Sequence, residues 1–465
     1  MDLAAISSVI RRRHARLAGL ILAVAVPVGI LAATQGPALL AAIIAAAGAL
    51  FVLARPDIGL LAAAALIPLE NLVVFGGGIT GMRAITVLAC IGWFGGKLLR
   101  RESWIPILSA PVLPTAAAFL AIVLASGLWA RHSDATIAGF VQLLQLFVLS
   151  LLIVDLAPDW RRQDRLAKVL VLSATVAAIL TLSQHTGGVR RAGDDVAGGI
   201  NNTAALLLTL LPFGFYLIRS QRATRWRLLG LAAVALTVVA VLLTFSRMSL
   251  LLLPPLLLTQ YWTTLRGRRG RGWLLGLTVA GVVAACFLVP WTQVWERAAT
   301  IGPYLASTLA ATPETITLSS RAYHALVGFA IFLDHPLLGA GYDNYGHLFL
   351  TDYQYLLGGA ERLFMSVRSA HSSYIGILAD LGILGITLWV ALQVAAVRAV
   401  LRAHRATRGH RESPPHLLVQ ALLASLLLHV LAFGWYMPNQ KEKLLWVLLA
   451  MAAVVSRLTA TPARQ

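Results

Sequence analysis

Cysteine is nearly absent from this 465-residue chain: Cys90 and Cys286 both lie inside apolar runs, with no partner pattern around them. That excludes a disulfide framework and a cysteine-based metal or redox site. Charge is scarce too, because only 12% of the residues are charged and acidic groups number 19 against 38 Lys and Arg. So little charge cannot cover a soluble globule. Strands of alternating polarity, solenoid repeats and low-complexity tracts are missing as well, which leaves out β-barrels, repeat arrays and disordered scaffolds.

What remains is apolar. Hydrophobic residues make up 58% of the chain, and the mean hydropathy is +0.79. Since a membrane core about 30 Å thick needs roughly 20 apolar residues per helix, the fold class is an all-α polytopic membrane protein of about 12–14 transmembrane helices with one large external loop domain. The apolar segments are 17–34, 37–54, 58–75, 83–99, 107–128, 136–156, 165–184, 203–218, 227–244, 248–262, 273–291, 371–397, 416–434 and 443–459. The first pair and the pair flanking Arg247 have very short links or run short. The amino-terminal RRRHARLAGLILAVAVPVGILA is built like a signal peptide, but its apolar run continues into the next span, so an uncleaved first helix is expected.

A net charge of +19 would suit a nucleic-acid binder if it were spread over a soluble surface. Instead the Lys and Arg gather in short connections, at 11–16, 97–101, 161–168, 219–227, 266–271 and 398–411. Clusters of that kind mark cytoplasmic loops. With a cytoplasmic amino terminus, strict alternation puts every one of them on that side and leaves both termini there. The opposite face then receives GGGITGM, ARHSDA, QHTGGVRRAGDDVAGGINN, the FSRMS turn, the 292–370 segment and WYMPNQKEK. The chain divides accordingly into amino-terminal helices (1–185), helices with arginine-bearing external loops (186–291), an external loop domain (292–370) and carboxy-terminal helices (371–465). Within the long segment, LSSRAYHALVGFAIFLDHP has helical spacing and reads as a helix on or near the membrane surface, ended by Pro336 and the turn that follows.

Arg190, Arg191 and Arg247 break the positive-inside pattern, so they are the informative cations. A guanidinium stays charged and grips phosphate oxygens in a fork. Arg247 is also readable as a snorkelling helix end, and Arg190 and Arg191 as a turn neutralised by Asp194 and Asp195. Those two carboxylates alone are too few for a divalent metal, and no metal or other cofactor is expected. Arg321 and Arg368 on the long segment are further substrate-binding candidates. His371 starts an apolar run after Ser369 and before two serines, where the positive end of a helix dipole favours a neutral imidazole able to accept a proton. Glu70 reads as a helix-end carboxylate, and Gly382 and Gly385 as small residues for helix packing.

FSRMSLL around Arg247, RAYHALVGFAIFLDHPLLGAGYDNYG at 321–346, HSSYIGILADLGILG at 371–385 and RRAGDDVAGGINNTAALLLTLLPFG at 190–214 together resemble the O-antigen ligase and polymerase superfamily. The resemblance spans about 190 to 385. It implies a bacterial inner-membrane glycosyltransferase whose site faces the periplasm and which moves a glycan from undecaprenyl diphosphate to the lipid A–core oligosaccharide. It further implies His371 as catalytic base and Arg190, Arg191, Arg247, Arg321 and Arg368 as substrate-binding residues, with no nucleic-acid partner. A single large external loop before the histidine is more ligase-like than polymerase-like. A polymerase of O-antigen or exopolysaccharide would use the same residues with a second lipid-linked unit as acceptor. A transporter of lipid-linked sugars would instead carry ionisable groups deep in its spans.

Overall fold

The computed structural model describes residues 37–74, 80–104, 112–186, 196, 199–221, 223–266, 272, 281, 289–302, 320–357 and 369–460. Among these residues the protein is helical, with no strand longer than one isolated bridge. The helices are α1 (Pro37–Ala54), α2 (Pro56–Leu66, continued by a 3-10 segment Ile67–Leu72), α3 (Gly81–Arg100), α4 (Leu113–Ala125), α5 (Ser133–Leu156), α6 (Trp160–Thr186), α7 (Ile200–Ser220), α8 (Thr224–Leu243), α9 (Arg247–Arg266), α10 (Trp291–Ala299), α11 (Ser320–Asp334), α12 (Tyr345–Thr351), α13 (Ser373–Ala406), α14 (Pro414–Tyr436, with a π turn at His429–Phe433) and α15 (Lys443–Ala460).

Eight of the described helices are long and apolar enough to cross a membrane: α3, α5, α6, α7, α8, α13, α14 and α15. All eight coincide with spans expected from hydropathy. The expected spans at 37–54 and 58–75 instead form one pair, α1 and α2, bent by 116°. The bend falls at Arg55–Pro56, where the proline starts a new helix and Arg55 holds Asp57 at 3.0 Å. The run at 107–128 yields a short helix, α4. The run at 248–262 lies in the 20-residue α9, which carries Pro254 and Pro255 in its interior. The run at 17–34 lies outside the described residues, as does most of 273–291.

Burial sorts the bundle into a centre and a rim. Every residue of α15 from Leu444 to Ser456 is buried, and α7 is enclosed almost along its whole length. Side chains of α5, α13 and α14 close round them, while α3 and α5 present Ile91, Phe94, Leu98, Ile137 and Val141 outward. In a membrane the outward apolar stripe meets lipid, so it costs nothing to leave exposed.

The connections fall at two ends. At the basic end Lys97 pairs with Asp155 at 3.2 Å, and Lys168 with Asp164 at 2.5 Å. At the other end loops remote in sequence are tied together: Arg131 to Asp352, the His132 backbone N–H to Asn344 at 2.8 Å, Lys441 to Asp343 at 2.6 Å and Lys443 to Glu70 at 2.5 Å. All of those residues except Glu70, which lies near the end of the expected span 58–75, belong to connections that alternation assigned to one face.

Gly382 does more than pack. Its backbone is left-handed (φ 60°) and breaks α13. The turn after α11 repairs the break: Ala340 N–H donates to Ala379 O at 3.0 Å, Gly341 N–H to Asp380 O at 2.8 Å, and Ile383 N–H to Pro336 O at 2.9 Å. Backbone groups freed by the kink are thereby satisfied where water is absent. A Cβ on Gly385, in contrast, would meet the Leu381 side chain of its own helix.

Candidate functional site

His371 stands two residues ahead of the helix rather than inside it, just before the N-cap. Ser372 is the N-cap of α13, accepting from the Ile375 N–H at 3.4 Å, and its hydroxyl donates to Gly434 O at 3.3 Å. Ser373 donates to Asn439 Oδ1 at 2.6 Å and accepts from the Asn439 N–H at 2.6 Å. Asn439 in turn donates from Nδ2 to His429 O at 3.1 Å, so the start of α13 is latched to the end of α14. With its neighbours fixed, His371 adopts a left-handed backbone (φ 52°), a conformation that L side chains rarely hold without support.

The imidazole of His371 meets that of His324 edge to face, with ring centres 4.8 Å apart. His324 is fully buried on α11, stacked on Phe349 at 4.8 Å, and its Nδ1 lies 2.9 Å from the Tyr345 hydroxyl. Burial, with the Asp380 carboxylate adding, pushes the Tyr345 phenol far above its ordinary range, so it remains a neutral hydroxyl. Asp380 anchors this group from α13 by accepting the Tyr345 N–H at 2.8 Å and the Asp343 N–H at 2.9 Å.

Beside His371 lies a cavity of about 200 Å³ whose wall includes Asp343, His347, Ser369, Ser372, Gln440 and Lys441. Ala370 and Ser372, on either side of His371, both belong to this wall, whereas the His371 ring lies against His324. Asn344 clamps the opposite wall, donating to His132 O at 3.2 Å and to Thr136 Oγ1 at 3.0 Å. Tyr342 beneath is fully enclosed, and burial together with Asp343 and Asp380 raises its phenol well above the ordinary range. Carboxylate, ammonium, amide and hydroxyl groups around such a volume suit a sugar ring better than an apolar ligand.

Arg247 starts α9 after a tight turn in which Phe245 is left-handed (φ 51°). Its Nε donates to Thr300 Oγ1 at 2.9 Å, and Arg297 Nε donates to Phe245 O at 3.3 Å. Ser246 donates to Asn201 Oδ1 at 2.9 Å, which joins this turn to the end of the loop that carries the other arginines. Arg190, Arg191, Asp194, Asp195 and Arg368 lie outside the described residues. Arg321 has its backbone in α11, one turn before His324, and its side chain is not among those described. Arg247 and His371 thus occupy different side-chain clusters, the first with Phe245 and Val294, the second with Tyr345 and Phe349.

His324, Tyr345, Asp343, Asp380 and Lys441 had not been singled out in the sequence. His324 has the spacing of a buried face with Val327 and Ile331, and only its chemistry sets it apart. Lys441 carried a legible signal, because a lysine in WYMPNQKEK departs from the positive-inside pattern. Glu70 proves to be a paired helix-end carboxylate, held by Lys443 at 2.5 Å, by Arg83 at 3.8 Å and by the Thr80 hydroxyl at 3.0 Å.

No curated protein matches the chain. Residues 231–390, from α8 through the first half of α13, match the family model described as O-antigen ligase. That stretch holds Arg247, His324, the cavity residues Asp343 and Asp380, and His371, so over about a third of its length, which includes the residues described above, this polytopic helical membrane protein is similar to the O-antigen ligase family.

Proposed function

We propose that the protein transfers an O-antigen glycan from undecaprenyl diphosphate to a hydroxyl of the lipid A–core oligosaccharide at the periplasmic face of the bacterial inner membrane. His371 is the general base. The acceptor oxygen attacks the anomeric carbon, the bond from that carbon to the diphosphate oxygen breaks, and undecaprenyl diphosphate departs with the electron pair. The acceptor proton passes to the imidazole of His371 and then to solvent. One displacement of this kind inverts the anomeric centre.

A diphosphate is already a good leaving group, so the protein needs cations to hold its charge and one base to take a proton. Arg247, with Arg190 and Arg191, binds the diphosphate; Arg321 and Arg368 bind substrate nearby. None of these steps calls for a metal.

The observation that carries this reading is the setting of His371, held in an uncommon backbone conformation between two residues of a polar cavity's wall and backed by a buried second imidazole. The test is transfer by purified protein given lipid-linked glycan and lipid A–core acceptor. His371→Ala is expected to abolish product while eluting from size exclusion as the parent does. Activity at the parental level removes His371 from the chemistry, and product formed only with a second lipid-linked unit assigns the protein to the polymerases.

A further inference from the structure

A second candidate site opens sideways, toward lipid, between α3 and α5. Its mouth carries Arg83 from α3 and Lys443 from the start of α15, and below them Gln142 and Gln145 project from α5. Deeper still the walls are Val87, Leu146 and Leu149.

Two features of this groove are unexplained by folding. First, Arg83 at the mouth is loosely held: Glu70 already accepts from Thr80 and pairs with Lys443, and Arg83 reaches it only at 3.8 Å, remaining 45% exposed. Second, Gln142 and Gln145 make no hydrogen bond to any described residue, although α5 is otherwise one of the most apolar helices of the bundle. Three residues apart, the two amides share one face. An unpaired amide turned toward hydrocarbon is costly and favours a polar ligand at that depth.

Resting on the transferase reading above, we infer that this groove binds the lipid anchor of the acceptor, a phosphate-bearing glycolipid. Its phosphate sits between Arg83 and Lys443, and the ester and amide linkages of its acyl chains meet Gln142 and Gln145. The chains then run down over Val87, Leu146 and Leu149. A polyprenyl diphosphate fits less well, because below its phosphates it offers only hydrocarbon to the two amides. The groove also stands apart from Arg247: α9 packs on α7 and α8, whereas α3 packs on α1, α2 and α5. Yet the groove adjoins the cavity at His371, since Lys443 faces the groove two residues from Lys441, which pairs with Asp343 in the cavity wall. A glycolipid anchored in the groove can therefore present its sugars to the cavity from the side opposite the donor.

The experiment uses the full chain in detergent, the double variant Gln142→Leu/Gln145→Leu, and three probes: bisphosphorylated lipid A, undecaprenyl diphosphate and phosphatidylglycerol, each measured as retained lipid by native mass spectrometry. Leucine suits a lipid-facing helix, so the fold is expected to persist. The double variant should retain about tenfold less lipid A, with the other two unchanged, and its KM for the lipid A–core acceptor should rise about tenfold while kcat and donor KM stay put. With dephosphorylated lipid A as a fourth probe, Arg83→Gln should erase the preference for the bisphosphorylated form. Unchanged lipid A retention overturns the site, and so does an equal loss of undecaprenyl diphosphate or phosphatidylglycerol. If the parent protein shows no turnover with this acceptor, the transferase reading fails, while lipid A retention still reports on the groove.

Discussion

The rings of His324 and His371 meet at 77° with their centres 4.8 Å apart, joining the second turn of α11 to the residue before the N-cap of α13. One histidine is buried and fixed by Tyr345; the other lies between Ala370 and Ser372, two residues of the cavity wall. A buried neighbour of this kind orients its partner rather than reacting itself. His324→Phe keeps the stack on Phe349 but loses the contact with the Tyr345 hydroxyl. We expect kcat to fall about tenfold to a hundredfold with donor and acceptor KM little changed, and the pH profile of kcat to move. An unmoved profile with raised KM values would mean that His324 only fills space.

The left-handed backbone at His371 separates chemistry from stability. Alanine there pays a steric cost of about 1 kcal/mol that glycine escapes. His371→Gly and His371→Ala should both be inactive, yet the glycine variant should unfold at the higher temperature in detergent. Equal midpoints would show that the conformation relaxes once the imidazole is gone.

Arg247 donates through Nε to Thr300, which fixes the plane of its guanidinium at the start of α9. Arg247→Lys keeps the charge and loses the fork. Donor KM is expected to rise about tenfold or more with the helix content unchanged in circular dichroism; a parental KM would argue against bidentate diphosphate binding.

Much of the bundle was readable in the sequence because hydropathy reports the one cost that dominates in lipid, exposure of polar backbone and side chains. The eight clear spans and the shared face of the external loops follow from it. The bend between α1 and α2, the break at Gly382 and the repair of that break by the 336–341 turn do not. Each depends on hydrogen bonds between segments far apart in the chain. The site shows the same division. His371 and Arg247 were visible as polar residues at span ends, whereas His324 sits on an amphipathic helix where a buried histidine looks like any core position. Asp380 lies inside an apolar run, and its role emerges only when the Asp343 and Tyr345 N–H groups are seen to converge on it.

The repaired break predicts which glycines the site cannot spare. A Cβ on Gly339 would fall 2.3 Å from the Asp380 carbonyl carbon, and one on Gly382 would fall 2.5 Å from the Leu337 carbonyl carbon; both backbones are left-handed. Backbone on each side blocks relief by a rotamer change. Gly339→Ala or Gly382→Ala should separate the turn from α13, displace Asp343 from Asp380 and lower both yield and thermal midpoint. Gly376→Ala is the control, since its nearest neighbour outside its own helix is the Ala370 methyl at 3.5 Å, an ordinary contact. If all three variants behave alike, close backbone approach is not what holds the turn.

Glu442, between the cavity lysine and the groove lysine, gives the stability of this face a pH dependence. Burial, with the Glu70 carboxylate adding and Lys443 opposing, pushes its carboxyl from 4.5 up to about 7. A folded state that holds the proton more tightly than the unfolded chain is favoured below about pH 4.5, and that advantage is lost as pH rises through about 7. Glu442→Gln stays neutral throughout. It should therefore match the parent near pH 5 and exceed it in thermal midpoint near pH 8, measured in the same detergent. A variant less stable than the parent at pH 8 would mean that the ionised carboxylate is satisfied in the fold, with attraction to Lys443 outweighing both burial and Glu70.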